Sequence, residues 1–117
     1  MKEFRVWDKD RREYSLEEFY LDTSGGLHRF SDNSFDELIP AENFEPEFWT
    51  GLTDSEGVKI FDNDDFLWKS DGSKLSVYYN DEMGCWMARN LLGTSDGLLS
   101  FFAKNAVVIG TIHEDEK

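Results

Sequence analysis

The side chains with chemical reach in this sequence are mostly carboxylates. Asp62-Asn63-Asp64-Asp65 and Asp8-Lys9-Asp10 offer hard oxygen donors of the kind that Ca²⁺ or Mg²⁺ accepts. Neither continues into a calcium loop, which needs a turn glycine and a distal glutamate at fixed offsets. Asp62, Asp64 and Asp65 leave open only the alternative of a Mg-dependent enzyme. Structural zinc takes about four Cys or His ligands, and one Cys with two His does not supply them. A nucleophilic Cys85 would need a base beside it to form thiolate, and His28 and His113 are the only imidazoles. A lone cysteine between Gly84 and Trp86 in an aromatic strand reads first as a small core residue. His113, just past the last predicted strand, reads as a surface residue. No G-x-x-x-x-G-K-[ST] or G-x-G-x-x-G cradle occurs. Acids this numerous pair by coincidence, so carboxylate pairs alone do not indicate acid–base chemistry. The sequence thus assigns no catalytic, cofactor-binding or metal-binding residue, and the expectation is a non-enzyme without a cofactor.

The acids are concentrated. The chain of 117 residues carries a net charge of −13. Residues 1–31 contribute −1 and residues 66–117 contribute −2. The remaining −10 lies in residues 32–65, where Asp32, Asp36, Glu37, Glu42, Glu45, Glu47, Asp54, Glu56, Asp62, Asp64 and Asp65 face only Lys59. Like charges this close repel, so most are expected to point into solvent or toward a cationic partner. The plain reading is a solubilising face; the functional one is a surface for a basic protein, with Asp36, Glu37, Glu42, Glu45 and Glu47 the acids to remove in testing it. Such a charge repels nucleic-acid phosphate, so direct nucleic-acid binding is not expected. Trp7, Trp49, Trp68 and Trp86 suggest a stacking platform for bases or Pro-rich peptides. A base-stacking platform would interleave Lys and Arg with these rings, whereas Trp49 and Trp68 neighbour acids, and core packing is the simpler role.

The elements that must hold these residues are short and mostly β. Phe4 to Trp7 predict a first strand over 3–8 with both faces covered, and Asp8–Arg12 a polar turn. Ser15-Leu-Glu-Glu18 fits a capping box and predicts a helical turn at 15–18, running into a hairpin of Phe19–Asp22 and Leu27–Phe30 around Gly25-Gly26. Ser34 before Phe35-Asp-Glu-Leu-Ile39, closed by Pro40, predicts one or two more helical turns. Glu45-Pro46-Glu47 reads as an extended connection and Asp54–Gly57 as a polar turn. Strands follow at 58–61 and 66–68, then a hairpin of Leu75–Tyr79 with Cys85–Ala88. Thr94–Gly97 breaks the chain, Leu98–Phe102 is a helical turn or an edge segment, Ala106–Ile112 is a last strand and Glu114–Lys117 a polar tail. With 18 aromatic residues and no Pro/Gly/Ser-rich linker, the expectation is one folded domain. No apolar run reaches the roughly 20 residues of a membrane-spanning helix, and Met1–Asp10 has no apolar signal-peptide core. The unpaired Cys85 suits a reducing cytoplasm.

Three stretches together resemble one family. Lys2-Glu-Phe-Arg-Val-Trp-Asp8 is similar to an N-terminal strand built on Phe-Arg, a small residue and Trp-Asp. Trp49-Thr-Gly-Leu-Thr-Asp-Ser-Glu-Gly-Val-Lys-Ile-Phe61 is similar to a central Thr-Gly-Leu…Asp…Gly…Ile-aromatic element. Val108-Ile-Gly-Thr-Ile112 resembles a closing Ile-Gly-Asn-Ile strand. In this order they resemble the YopX family of phage and prophage proteins. Where that family has Glu-Gly-Asp after the central element, this chain has Asp62-Asn63-Asp64, and asparagine is the best non-glycine residue at positive φ. The resemblance implies a mainly β fold with a β segment over 1–48, an SH3-like partial barrel over 49–117 and one or two short helical turns. It also implies phage or prophage encoding, a bacterial cytoplasm and self-association, but no activity. The function expected is that of an acidic accessory protein working through contacts with an unidentified protein. The alternative is a DNA mimic, its acids standing in for phosphates to block a host DNA-binding protein.

Overall fold

The computed structural model describes residues 3–31, 34–90 and 96–116. In it, short antiparallel strands gather into two units, Glu3–Glu47 and Phe48–Lys117.

In the N-terminal unit, β1 (Phe4–Asp8) pairs with β2 (Glu13–Tyr14), placing Trp7 opposite Tyr14. The turn between them is tied by Asp8, whose Oδ1 accepts the amides of Asp10 at 2.9 Å and Arg11 at 3.0 Å. Val6, Trp7 and Asp8 are buried in succession, so both faces of β1 are covered as the sequence predicts. The helical turn expected at 15–18 is absent. Ser15 Oγ does accept the Glu17 amide at 3.2 Å, but the Ser15 N–H donates to Val6 O at 2.9 Å and continues the β1 pairing. Phe19 packs on Phe44 with centroids 5.1 Å apart, while Leu16, which a helix would have turned inward, is fully exposed. Sheet bonding and ring packing outweigh the local cap.

β3 (Tyr20–Leu21) and β4 (Leu27–Ser31) form the expected hairpin. Its loop is organised by Asp22, whose carboxylate meets His28 Nε2 at 2.9 Å and accepts the amides of Ser24 and Gly26. His28 first, and then Ser24 and Gly26, hold that carboxyl well below the usual carboxylate range. The second expected helix is also a strand: β5 (Ser34–Pro40) pairs with β4, with Arg29 opposite Ile39 and Phe30 opposite Leu38. Pro40 ends an edge strand rather than a helix, and an edge is where a residue without an N–H is tolerated. Glu45-Pro46-Glu47 belongs to β6 (Phe44–Thr53), which runs from this unit into the next.

The second unit opens with the end of β6 and β7 (Lys59–Phe61). A five-stranded antiparallel sheet follows from β8 (Asp64–Trp68), β9 (Lys74–Asn80), β10 (Cys85–Asn90), β11 (Asp96–Leu98) and β12 (Ala106–Thr111), in the order β11-β10-β9-β8-β12. Leu75 and Val77 alternate with Ser76 and Tyr78, and the predicted hairpin holds in register, Trp86 opposite Tyr79 and Ala88 opposite Val77. Leu98–Phe102 resolves into the end of β11 and a short helix α1 (Leu99–Ala103), which buries Leu99, Phe102 and Ala103. These close a core with Ile60, Phe66, Leu75, Val77, Ala88 and Ala106, against which Leu52, Trp68, Trp86 and Val108 pack. Phe66, with no exposed surface, alone stabilises the fold by roughly 1.5–3 kcal/mol over an exposed ring. Ile112–Glu116, expected as strand end and polar tail, forms a 3₁₀ turn; Thr94, Ser95 and Lys117 lie outside the described residues.

Gly51 and Gly57 have φ of +86° and +82°. A Cβ built on either meets no atom within 4 Å, so alanine there is opposed by backbone strain alone. Each Gly→Ala variant is expected to lose about 1 kcal/mol in urea denaturation. Unchanged midpoints in both would show that neither turn needs its glycine.

Candidate functional site

The Trp49–Phe61 stretch builds a device of turns. Thr50 Oγ1 donates to Ile60 O at 2.7 Å and accepts the Leu52 amide at 3.2 Å, while Trp49 Nε1 donates to Leu52 O at 2.9 Å. The β6–β7 register shifts between Trp49 and Thr53, a bulge at Gly51. Asp54 is buried beneath the next turn, accepting the amides of Glu56 (2.8 Å) and Val58 (2.9 Å) on one oxygen and of Val108 (3.0 Å) on the other. Burial pushes its carboxyl up, but the Val108, Val58 and Glu56 amides and nearby Lys69 outweigh that and hold it below the usual range.

The acidic segment is not a uniformly solvated face. Glu47, Asp54, Asp64 and Asp65 are buried, which corrects the expectation for four of its acids. Each is held by donors. Glu47 Oε1 lies 2.9 Å from Arg5 Nε and accepts the Tyr14 hydroxyl at 2.8 Å. Asp64 Oδ2 accepts the Phe61 amide at 2.7 Å, closing a turn in which Asn63 takes φ +67°, the role expected of it in place of glycine. Asp65 Oδ1 accepts the Ser76 hydroxyl at 2.5 Å, and its Oδ2 lies 3.5 Å from Lys74 Nζ. Neighbours on a strand project to opposite faces, so Asp64 and Asp65 cannot share an ion. Among the described residues no three His, Cys, Asp or Glu side chains form a group that could hold a metal. Glu37, Glu42, Glu45 and Glu56 are exposed; Asp32 and the Asp36 side chain lie outside the described residues.

His113 is buried rather than at the surface. The Ile112 N–H bonds Asn63 O at 3.0 Å and the 3₁₀ turn folds the imidazole inward, a tertiary effect invisible in local sequence. Cys85 is half-buried with its Sγ 3.7 Å from Met87 Sδ, a soft contact.

Concavities lie in each unit. One in the N-terminal unit, of about 680 Å³, includes Tyr14, Leu16, Phe44, Arg11 and Arg29 in its lining. Its cations are matched within the unit, Arg29 to Glu17 at 3.1 Å and Arg11 to Glu13 at 3.8 Å. Another, in the second unit, is a cleft of about 370 Å³ lined by Phe48, Trp49, Asp62, Tyr79 and Trp86. Tyr79 and Trp86, paired across the β9–β10 hairpin, meet edge to face with centroids 5.0 Å apart. The Asp62 N–H bonds Phe48 O at 2.9 Å and fixes the β7–β8 turn beside β6. Trp68 is different: it packs edge to face on Phe102 at 5.1 Å, in the core role expected of the tryptophans.

A model of the YopX protein family matches residues 3–117. The chain belongs to the YopX family. Two solved structures share the fold. Protein EF1440 from Enterococcus faecalis superimposes with a TM-score of 0.62 at 20% identity, over 100% of this chain and 96% of that one. Protein yopX from Bacillus subtilis gives 0.57 at 18% identity, over 97% and 94%. No curated protein matches. In this chain Gly51, Asp54, Gly57 and Asn63 are turn-formers that shape backbone around the core. The cleft beside it escaped sequence reasoning because its rings come from three separated stretches. Its one local signal was Tyr79 and Trp86 flanking a single hairpin turn.

Proposed function

We propose that this YopX-family chain is a non-catalytic accessory protein that binds a basic protein partner. The observation that carries the reading is the exposure of Glu37, Glu42 and Glu45 on the N-terminal unit, where Lys9 lies 3.1 Å from Glu45. Of the three acids that the Mg-dependent alternative would use, Asp64 and Asp65 are engaged in a turn and a cross-strand bond. Phage or prophage encoding and a bacterial cytoplasm belong to the same proposal through the family resemblance. No helix among the described residues is long and apolar enough to cross a membrane. The five-stranded sheet of the second unit is compatible with an SH3-like partial barrel. Self-association would draw on the exposed Leu98, Phe101 and Ile109. DNA mimicry is the less supported alternative, since four of the segment's acids are withdrawn from the surface.

The test is kinetic. Glu37, Glu42 and Glu45 are changed to Gln, leaving the buried Glu47 intact. Exposed charges contribute little to folding, so stability should stay within about 0.5 kcal/mol of wild type. The on-rate for a partner captured from host lysate should fall several-fold and lose much of its salt dependence. An unchanged on-rate would mean that these acids only keep the protein in solution.

A further inference from the structure

We infer that the outer edge of β5 takes up an extended segment of the partner protein, alternately apolar and basic, as an added strand. This deepens the reading of a basic partner and rests on it for the charge of the occupant, though not for the edge. β5 ends the β3-β4-β5 sheet, so one side of its backbone is turned away from β4. The register identifies the groups on that side. The Ala41 N–H donates to Leu27 O at 2.9 Å, which makes Leu27 and Ala41 a hydrogen-bonded pair. Bonded and non-bonded pairs alternate along an antiparallel ladder. Arg29 and Ile39 are therefore bonded, whereas His28 faces Pro40 and Phe30 faces Leu38 without bonds. Leu38 thus turns both its N–H and its C=O outward, and neither has a partner among the described residues. Pro40 holds the next such position, where its missing N–H takes no bond from β4 and its C=O accepts the Glu42 amide at 3.2 Å. An added ladder stops there.

The side chains narrow the occupant. A strand beside β5 exchanges two bonds with Leu38 through the residue opposite it, whose side chain falls on the face of Leu38 and Phe30. Leu38 is 49% exposed and Phe30 half-buried, so an apolar side chain there covers surface that β5 leaves open. The residues flanking it project to the other face, beside exposed Glu37, where Lys or Arg is favoured and a carboxylate repelled. A helix has no free backbone groups to offer Leu38, and a chain of net charge −13 repels nucleic-acid phosphate. An extended segment meets the backbone, the apolar face and the charge together.

The experiment titrates the intact chain with a capped peptide of alternating Val and Lys as long as β5, seven residues, and follows the Leu38 amide by NMR. Its resonance should shift and saturate with an affinity on the order of millimolar, and its hydrogen exchange should slow several-fold. The Ile39 amide, already turned toward Arg29, should keep its rate. Gln in place of Lys should weaken the peptide at least about threefold. N-methylation of the valines, whose N–H groups face β5, should abolish binding. N-methylation of the lysines, whose N–H groups point away, should leave it within about twofold. Leu38→Pro removes the outward donor and no bond to β4, and should weaken the unmethylated peptide about tenfold. Should Leu38→Pro fail to fold, the two methylated peptides decide the matter on the wild-type chain.

No change at Leu38 up to roughly 10 mM peptide, well above the expected constant, would overturn the inference. Glu37 and Pro40 would then only guard the edge against pairing. Equal binding of the two methylated peptides would overturn it as well. Binding that survives Leu38→Pro but falls in the Glu37/Glu42/Glu45→Gln protein refutes the edge and leaves the acidic surface standing. An edge that binds the Gln and Lys peptides alike refutes the basic occupant, whereas an insensitive partner on-rate refutes the acidic surface itself.

Discussion

Glu47→Ala is expected to destabilise the protein by about 3 kcal/mol, the scale on which breaking a buried ion pair acts. Glu47 is 1% exposed and its Oε1 takes both Arg5 Nε at 2.9 Å and the Tyr14 hydroxyl at 2.8 Å. The Arg5 guanidinium also lies 4.5 Å from the Tyr14 centroid, and Tyr14 meets Trp7 edge to face at 4.9 Å. Removing the carboxylate leaves a guanidinium partly desolvated and a phenol short of its acceptor, and opens a cavity in the N-terminal unit. The Arg5 side chain keeps 24% of its surface in water, which places the loss at the low end of the usual 3–5 kcal/mol. Glu47→Gln keeps one oxygen that can serve both donors but loses the charge, and should lose about half as much. Adding Arg5→Met to the alanine variant should restore part of the stability, because the uncompensated charge goes with it. Urea denaturation of wild type, Glu47→Ala, Arg5→Met and the double variant measures the cycle. An alanine variant within about 0.5 kcal/mol of wild type would mean that Arg5 and Tyr14 find equivalent partners without Glu47.

This residue marks the boundary of what the sequence could convey. Glu47 sits in a run of acids between Pro46 and Phe48, and nothing local separates it from exposed Glu45 two residues earlier. The difference arises from Arg5 and Tyr14, more than thirty positions away in the chain. The strands that alternate clearly, Leu75–Tyr79 and Cys85–Ala88, were legible because side-chain period alone defines their core face. The two predicted helical turns failed for one reason: Ser15 and Ser34 offer good local caps, but the segments after them contain too few residues to propagate a helix. Strand pairing with Val6 O in one case and β4 in the other took over. Asn63 was legible because positive φ is a property of the residue itself. The aromatic cleft was not, since Phe48–Trp49, Asp62 and the Tyr79–Trp86 pair are far apart in sequence and converge only in the folded chain.

Asp54 carries the second large effect, and it depends on pH. Its carboxylate accepts amides from Glu56, Val58 and Val108, linking the β6–β7 turn to β12 across more than fifty residues of chain. Alanine there takes the acceptor from three amides, those of the turn and of β12, so Asp54→Ala is expected to lose about 3 kcal/mol at neutral pH. Asparagine keeps one oxygen, which can serve Glu56 and Val58. Its NH₂ group then points at the Val108 N–H, donor against donor, and a loss of about 2 kcal/mol is expected. Because the amides hold the folded carboxyl below its ordinary value, folding favours the ionised form. The stability this provides is complete above the unfolded pKa of about 3.9 and drains away as pH falls through the lower folded value. Asp54→Asn has no such proton to take up at this site. The gap between wild type and Asp54→Asn should therefore be constant from neutral pH to about pH 5 and narrow below about pH 4. Comparing the two proteins cancels the other carboxylates, Asp22 and Asp71 among them, whose values are also lowered. A gap that stays flat down to about pH 2.5 would show that Asp54 contributes by shape and not by charge.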